Sequence, residues 1–174
     1  MTIEKLTEIY QGRVLRFTVE QVRLPNDHLA TLEMVHHPGG AAILALDDDQ
    51  RICLVRQYRH AVGDYIWEIP AGKIDNKDAP LATAQRELEE EAGRLAGEWH
   101  SLGEFLPSPG FLTEVVYLFF ATQLKTVKNN LEATEVLEAH WFPYEQALEM
   151  AQSGELRDGK SLAALLRARA YVSR

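Results

Sequence analysis

The sequence predicts an α+β fold, a sandwich of strand pairs interleaved with helices, on three observations. Short apolar segments with strand-like patterning recur through most of the chain,. One central segment carries an apolar stripe at helical spacing, and two further helical segments close the chain,. No internal repeat and no low-complexity tract interrupts this order,.

The elements follow in chain order. Leu15, Phe17 and Val19 alternate with Arg16, Thr18 and Glu20, which places an apolar face on one extended segment,. Leu24-Pro25-Asn26-Asp27 supplies a turn before a second extended run, Leu29 to Val35,. Residues 1–38 therefore read as a small antiparallel β appendage, with a boundary at Pro38-Gly39-Gly40 and the main domain over 39–174,. Apolar strands are expected at Ala41–Leu46 and Ile52–Gln57, joined by a turn of solvated acids, Asp47-Asp48-Asp49-Gln50. A short strand, Ile66–Ile69, feeds the Pro70–Asn76 loop, and a helix spans Pro80–Ala92 with Gly93 as its left-handed stop,. Asp78, just ahead of Ala79-Pro80, is the expected N-cap,. Strands near Ser101–Leu106 and Val115–Thr122 flank the Pro107–Thr113 loop. A polar stretch, Gln123–Thr134, precedes a strand over Glu135–Phe142. Helices over Tyr144–Gln152 and Lys160–Tyr171 end the chain, the second with Leu162, Leu165 and Leu166 on one face.

The chemistry concentrates between Gly72 and Gly93. Gly72 is followed by Asp78 and then by Arg86-Glu87-Leu88-Glu89-Glu90-Glu91-Ala92-Gly93. At 3.6 residues per turn, Glu87, Glu90 and Glu91 fall within roughly a 100° arc of the helix. Leu81, Ala84, Leu88, Ala92 and Leu95 mark the neighbouring buried stripe,. Acids this close repel one another, and a hard divalent cation with oxygen ligands relieves that repulsion. A run of Glu alone is more often a solvated face; the spacing of the whole array decides for a site.

That array resembles the Nudix box, G-x5-E-x7-R-E-U-x-E-E-x-G-U with U apolar. Gly72, Arg86, Glu87, Leu88, Glu90, Glu91 and Gly93 occupy its positions. Asp78 stands where the family has Glu, and Arg94 where an apolar residue is usual. Val55-Arg56-Gln57-Tyr58-Arg59, Glu68-Ile69-Pro70-Ala71-Gly72, Ser108-Pro109-Gly110-Phe111 and Trp141-Phe142-Pro143-Tyr144-Glu145-Gln146-Ala147 look like the bacterial ADP-ribose pyrophosphatases. GDP-mannose pyrophosphatases share these features.

The resemblance implies the Nudix α/β/α arrangement and Mg²⁺-dependent hydrolysis of a nucleotide sugar, ADP-ribose, to AMP and ribose 5-phosphate, with Mn²⁺ as a possible substitute metal. It implies Glu87, Glu90, Glu91 and the Ala71 carbonyl as metal ligands. Arg86, projecting away from the acid arc, would orient a catalytic Glu. Arg59 is assigned to phosphate contact, with Arg56 nearby on the same strand, and Glu68 to the nucleoside part. Ser108 and Glu114 match loop residues near the scissile phosphates. The general base falls on Glu135 or Glu132, because Ala133 occupies the position where some relatives carry the catalytic Glu. Family members are homodimers that exchange their N-terminal β segments. The rival readings are GDP-mannose or another nucleotide sugar as substrate, and a Nudix-fold sensor that binds without turnover.

Bulk properties bound the rest. A chain of 174 residues, 46% hydrophobic, suits one ordinary domain with a small appendage,. Its net charge of −8 argues against general nucleic-acid binding,. The same acidity fits an anionic substrate once bound metal inverts the local charge. Without an apolar run of membrane-spanning length or a signal-like leader, the chain is expected in the cytoplasm,. Its single cysteine, Cys53, lies in an apolar run and reads as a buried structural thiol,. Of the adjacent His36 and His37, strand alternation sends the two side chains opposite ways.

Overall fold

The computed structural model describes residues 2–75, 78–128 and 137–172. Contacts divide the chain into two units, one of residues 1–39 with 106–115, the other of residues 40–105 with 116–174. The loop over 106–115, which the sequence assigns to the larger domain, thus groups with the N-terminal strands.

The first unit is an antiparallel sheet of β1 (Thr2–Gln11), β2 (Arg16–Arg23) and β3 (Leu29–His36), with β2 in the middle. The β2–β3 hairpin is the one the alternation predicts, and Asp27 takes the left-handed conformation in its turn (φ 63°). β1 escaped the sequence reading because two register shifts, at Ile3/Lys5 and Glu8/Tyr10, break its alternation,. The face of β2 that carries Phe17 and Val19 is not the buried one. Thr18, Glu20 and Val22 are buried, whereas Phe17 and Val19 are half-buried and Leu15 is exposed. Alternation fixes two faces but not which is covered. The buried polar groups satisfy one another: the Thr18 hydroxyl donates to Glu20 Oε1 (2.8 Å), and His36 Nε2 lies 2.8 Å from that hydroxyl and 3.1 Å from Glu20. The 106–115 loop is stitched to β3 by Val35 N–H to Phe111 O (2.8 Å) and Thr113 N–H to Val35 O (3.0 Å).

Among its described residues the second unit holds two sheets. One is antiparallel, in the order β10 (Leu137–Pro143), β5 (Arg51–Arg59), β6 (Asp64–Glu68). The other is mixed, in the order β7 (Ala71–Lys73), β4 (Gly40–Ala45), β9 (Val116–Thr126), β8 (Arg94–Phe105), with β4 and β9 parallel. β4 is buried along its whole length, as a strand covered on both faces must be,. Its residues divide between two cores. Ala42 and Leu44 pack with Ile52, Leu54, Leu118 and residues of α2 (Tyr144–Ser153) and α3 (Gly159–Ala168). Ala41, Ile43 and Ala45 pack with Cys53 and with Ala84, Leu88 and Ala92 of α1 (Pro80–Ala92). One helix on one face and two on the other give three layers, α/β/α, as expected.

Local expectations were met closely at α1, whose bounds are those predicted, and at Gly93, which is left-handed (φ 59°) and donates to Glu89 O and Leu88 O,. Three details differ. Ala79, not Asp78, is the N-cap, with no side-chain cap bond; exposed Asp78 lies one residue too early, and Pro80 opens the helix with its preset φ,. Leu95 is 44% exposed because β8 begins at Arg94 and takes it off the helical stripe. In α3 the buried positions are Ser161, Ala164, Leu165 and Ala168, and Leu166 faces solvent. Cys53 is buried as expected, and burial pushes its thiol up to about 12, which makes it unreactive,. No helix among the described residues is long and apolar enough to cross a membrane.

Candidate active site

The site is built where β7 passes the inner face of α1. Thr83, Glu87 and Glu91, spaced four apart, lie along that face with 2%, 5% and 2% exposure,. Burying carboxylates is costly unless something compensates them, so their placement needs a cause. The sequence supplies one at Gly72. A Cβ there would stand 2.7 Å from Glu87 Cγ and overlap the Glu87 carboxylate outright. Only a residue without a side chain leaves that carboxylate its seat against the β7 backbone. One residue earlier, the Ala71 N–H donates to Glu91 Oε2 (3.0 Å),.

Arg86 does not project away from the acids as expected. Its guanidinium reaches Glu87 Oε1 through Nη2 and Glu90 Oε2 through Nη1, both at 2.7 Å. An Arg four residues before one Glu and next to another can span both because its fork offers several donors in one plane. Partial burial disfavours the charge, but Glu87 and Glu90 outweigh it and hold Arg86 above its usual pKa,.

A second cluster lies at the end of β6. Glu68 is 2% exposed and accepts from Arg59 Nε (2.6 Å) and Nη2 (2.8 Å), a bidentate pair, and from Lys160 Nζ,. Burial works against the Glu68 charge, but the Arg59 bonds and the Lys160 ammonium outweigh it, so its pKa lies below the ordinary glutamate range. Arg59 is correspondingly raised, chiefly by its bond with Glu68. Lys160 also bonds Asp158 (3.0 Å), whose carboxylate caps α3 by accepting from Ser161 N–H (3.0 Å),. The Ser161 hydroxyl in turn accepts from Ile69 N–H (2.9 Å). The first turn of α3 therefore holds both side chain and backbone of the segment that leads to Ala71 and Gly72.

The sequence reading missed Lys160, Asp158 and Ser161. Asp158 three residues before Ser161 is a readable helix start, but nothing local could show that Lys160 meets a carboxylate 92 positions away.

Because Glu68 titrates low in the fold, its stabilisation is present above the unfolded value of about 4.3 and is lost as pH falls below it. In thermal melts the gap between the wild type and Glu68→Gln is therefore expected to stay constant from pH 7 down to about 4.3 and to shrink below that. A gap that widens in acid would contradict the pairing.

Other predicted residues fall elsewhere. Arg56 and Arg59 are three apart on β5 and so face opposite sides of the sheet,. Arg56 is exposed, its guanidinium 4.9 Å from the Tyr65 ring centre,. Ser108 and Glu114 belong to the first unit. There the Ser108 carbonyl accepts from Leu112 N–H (3.0 Å), and the Glu114 carboxylate lies 3.3 Å from His37 Nδ1. His36 and His37 have separate partners, as their alternation requires. Glu132, Ala133 and Glu135 lie outside the described residues.

The donor set suits a hard divalent cation: three carboxylates on one helix, with the Ala71 backbone against one of them,. Two further observations agree. Gly72 leaves a cradle that a side chain would fill, and the buried Thr83 hydroxyl, one turn before Glu87, has no hydrogen-bond partner among the described residues. In the arrangement described, Arg86 and the Ala71 N–H occupy carboxylate oxygens that a cation would use. No group of three or more His, Cys, Asp or Glu among the described residues is gathered as a ligand cluster.

With this helix, loop and three-layer frame in place, the comparisons identify the class. Residues 36–165 match the NUDIX domain, and the chain belongs to that family of hydrolases. Among individual relatives, it is 39% identical over 160 residues to an ADP-ribose pyrophosphatase of Bacillus subtilis (strain 168), covering 91% of this chain and 86% of the relative. It is 38% identical over 143 residues to a GDP-mannose pyrophosphatase of Enterobacter sp. (strain 638), covering 75% and 73%. A crystal structure of an ADP compounds hydrolase shares the fold, with a TM-score of 0.83 and 19% identity over 98% of this chain and 92% of that one.

Proposed function

We propose that the protein is a Mg²⁺-dependent nucleotide-sugar pyrophosphatase that hydrolyses ADP-ribose to AMP and ribose 5-phosphate. The observation that carries this reading is the joint seating of Glu87 on Gly72 and of Glu91 on the Ala71 N–H. It puts two box acids against the backbone of Ala71 and Gly72. The ADP-ribose preference rests on the relative that covers 91% of this chain, against 75% for the GDP-mannose enzyme.

Glu87, Glu90, Glu91 and the Ala71 carbonyl would hold the metal. Bound there, Mg²⁺ supplies charge neutralisation for the pyrophosphate and an acidified water as nucleophile. Arg86 keeps Glu87 and Glu90 in register on the helix. Arg59 binds a phosphate oxygen, for which its planar fork is suited, and Glu68 accepts from the nucleoside part. Ser108 and Glu114 contact the substrate near the phosphates, and Arg56 contributes positive charge at the rim. Glu135 acts as general base, with Glu132 its nearest alternative. The protein works in the cytoplasm as a homodimer through its N-terminal strands, where Ile3, Leu6, Ile9 and Tyr10 of β1 stand exposed,.

Metal removal tests the reading. Chelation with EDTA is expected to abolish AMP release from ADP-ribose, and added Mg²⁺ to restore it, with Mn²⁺ as a substitute. Release of AMP at the same rate in EDTA would overturn the metal-dependent assignment.

A further inference from the structure

Glu68 carries two cations that differ in their access to solvent. The Arg59 side chain is 40% exposed and the Lys160 side chain 14%. Lys160 is also tied to Asp158, itself fixed as the cap of α3. The ammonium is thus anchored from two sides, while the guanidinium sits at the open end of β5. The edge of Arg59 formed by Nε and Nη2 is committed to Glu68. That edge is one of the two with which a guanidinium can grip a pair of phosphate oxygens. That edge cannot hold Glu68 and a phosphate at once, and stripping a buried carboxylate of its only counter-ion is strongly unfavourable.

From this we infer that Lys160 is a positioning residue for phosphate binding: it keeps the buried Glu68 charge compensated while Arg59 turns its fork from Glu68 to a phosphate. Lys160 itself touches no substrate. Without it, Arg59 would be the sole partner of Glu68 among the described residues, and a phosphate would have to compete with a buried carboxylate for the guanidinium. The inference rests on the assignment of Arg59 to phosphate contact.

A double-mutant cycle read by binding tests it. Inorganic pyrophosphate with Mg²⁺ present is titrated calorimetrically into wild type, Lys160→Met, Glu68→Gln and the double variant. Lys160→Met is expected to weaken pyrophosphate binding by about tenfold, and by less than about twofold in the Glu68→Gln background, where no charge needs compensating. Lys160→Arg, which keeps the cation, is expected to bind as the wild type does. Lys160→Gln serves if the Met variant does not fold, and the same loss is expected of it. An unchanged Kd in Lys160→Met or Lys160→Gln overturns the inference. So does an equal loss in both backgrounds, which is what a merely structural role produces. ADP-ribose hydrolysis by the wild type is assayed separately. Absence of hydrolysis with the coupling intact would remove the substrate assignment alone; hydrolysis without the coupling would remove this inference alone.

Discussion

Glu91→Gln is expected to lower kcat/KM for ADP-ribose by about 10²- to 10³-fold, the usual loss when one charge-stabilising group leaves an active site. The change is nearly isosteric, and the amide oxygen can still accept from Ala71 N–H, so local packing at this 2%-exposed position is kept. It also removes one of two buried carboxylates on the same helix face, which relieves repulsion. The expected variant is folded, at least as heat-stable as the wild type, and nearly inactive. Steady-state kinetics beside a thermal melt separates this from unfolding. Undiminished activity would remove Glu91 from the site.

Gly72→Ala is expected to cost about 10²-fold in kcat/KM with a change of only a few degrees in Tm. The added methyl occupies the seat of the Glu87 carboxylate. The Glu87 side chain is flexible, so Cγ and the carboxylate can rotate away together, at the cost of their present pairing with Arg86. Gly72 has no positive φ to forbid alanine, and the smaller unfolded-state entropy offsets part of any strain. The damage falls on function because a displaced ligand no longer faces the cation it would hold. Weaker Mg²⁺ dependence in the variant, with Glu91 intact, is the accompanying sign. Full activity would show that the Gly72–Glu87 contact is not used.

The two predictions draw on the part of the molecule that was legible in the sequence. Residues 80–92 carry helical spacing, a Pro at the first turn and a glycine stop, and the helix forms within those bounds,. The acids and Gly72 were readable because the helical period puts them on one arc and because fixed identities recur at fixed offsets. What was not legible depends on tertiary covering or on distant partners. The alternation in β2 marks two faces, yet the covered one carries Thr18 and Glu20, since a polar network with His36 satisfies them,. β1 hides its strand character behind two bulges. β7 is only three residues long and shows no periodicity of its own. Arg86 could be placed on the helix but not aimed, because a flexible side chain of that length reaches either neighbouring arc. Lys160 is the clearest omission. Its target lies in another element, and only the packing of α3 brings the two together.

The measurement that bears most directly on the account is product analysis after incubation with Mg²⁺ and a panel of nucleotide sugars, by anion-exchange chromatography. The account predicts AMP and ribose 5-phosphate from ADP-ribose, formed well ahead of GMP from GDP-mannose. Saturable binding of ADP-ribose with no product from any member of the panel would contradict it, and would make this site a sensor rather than a catalyst.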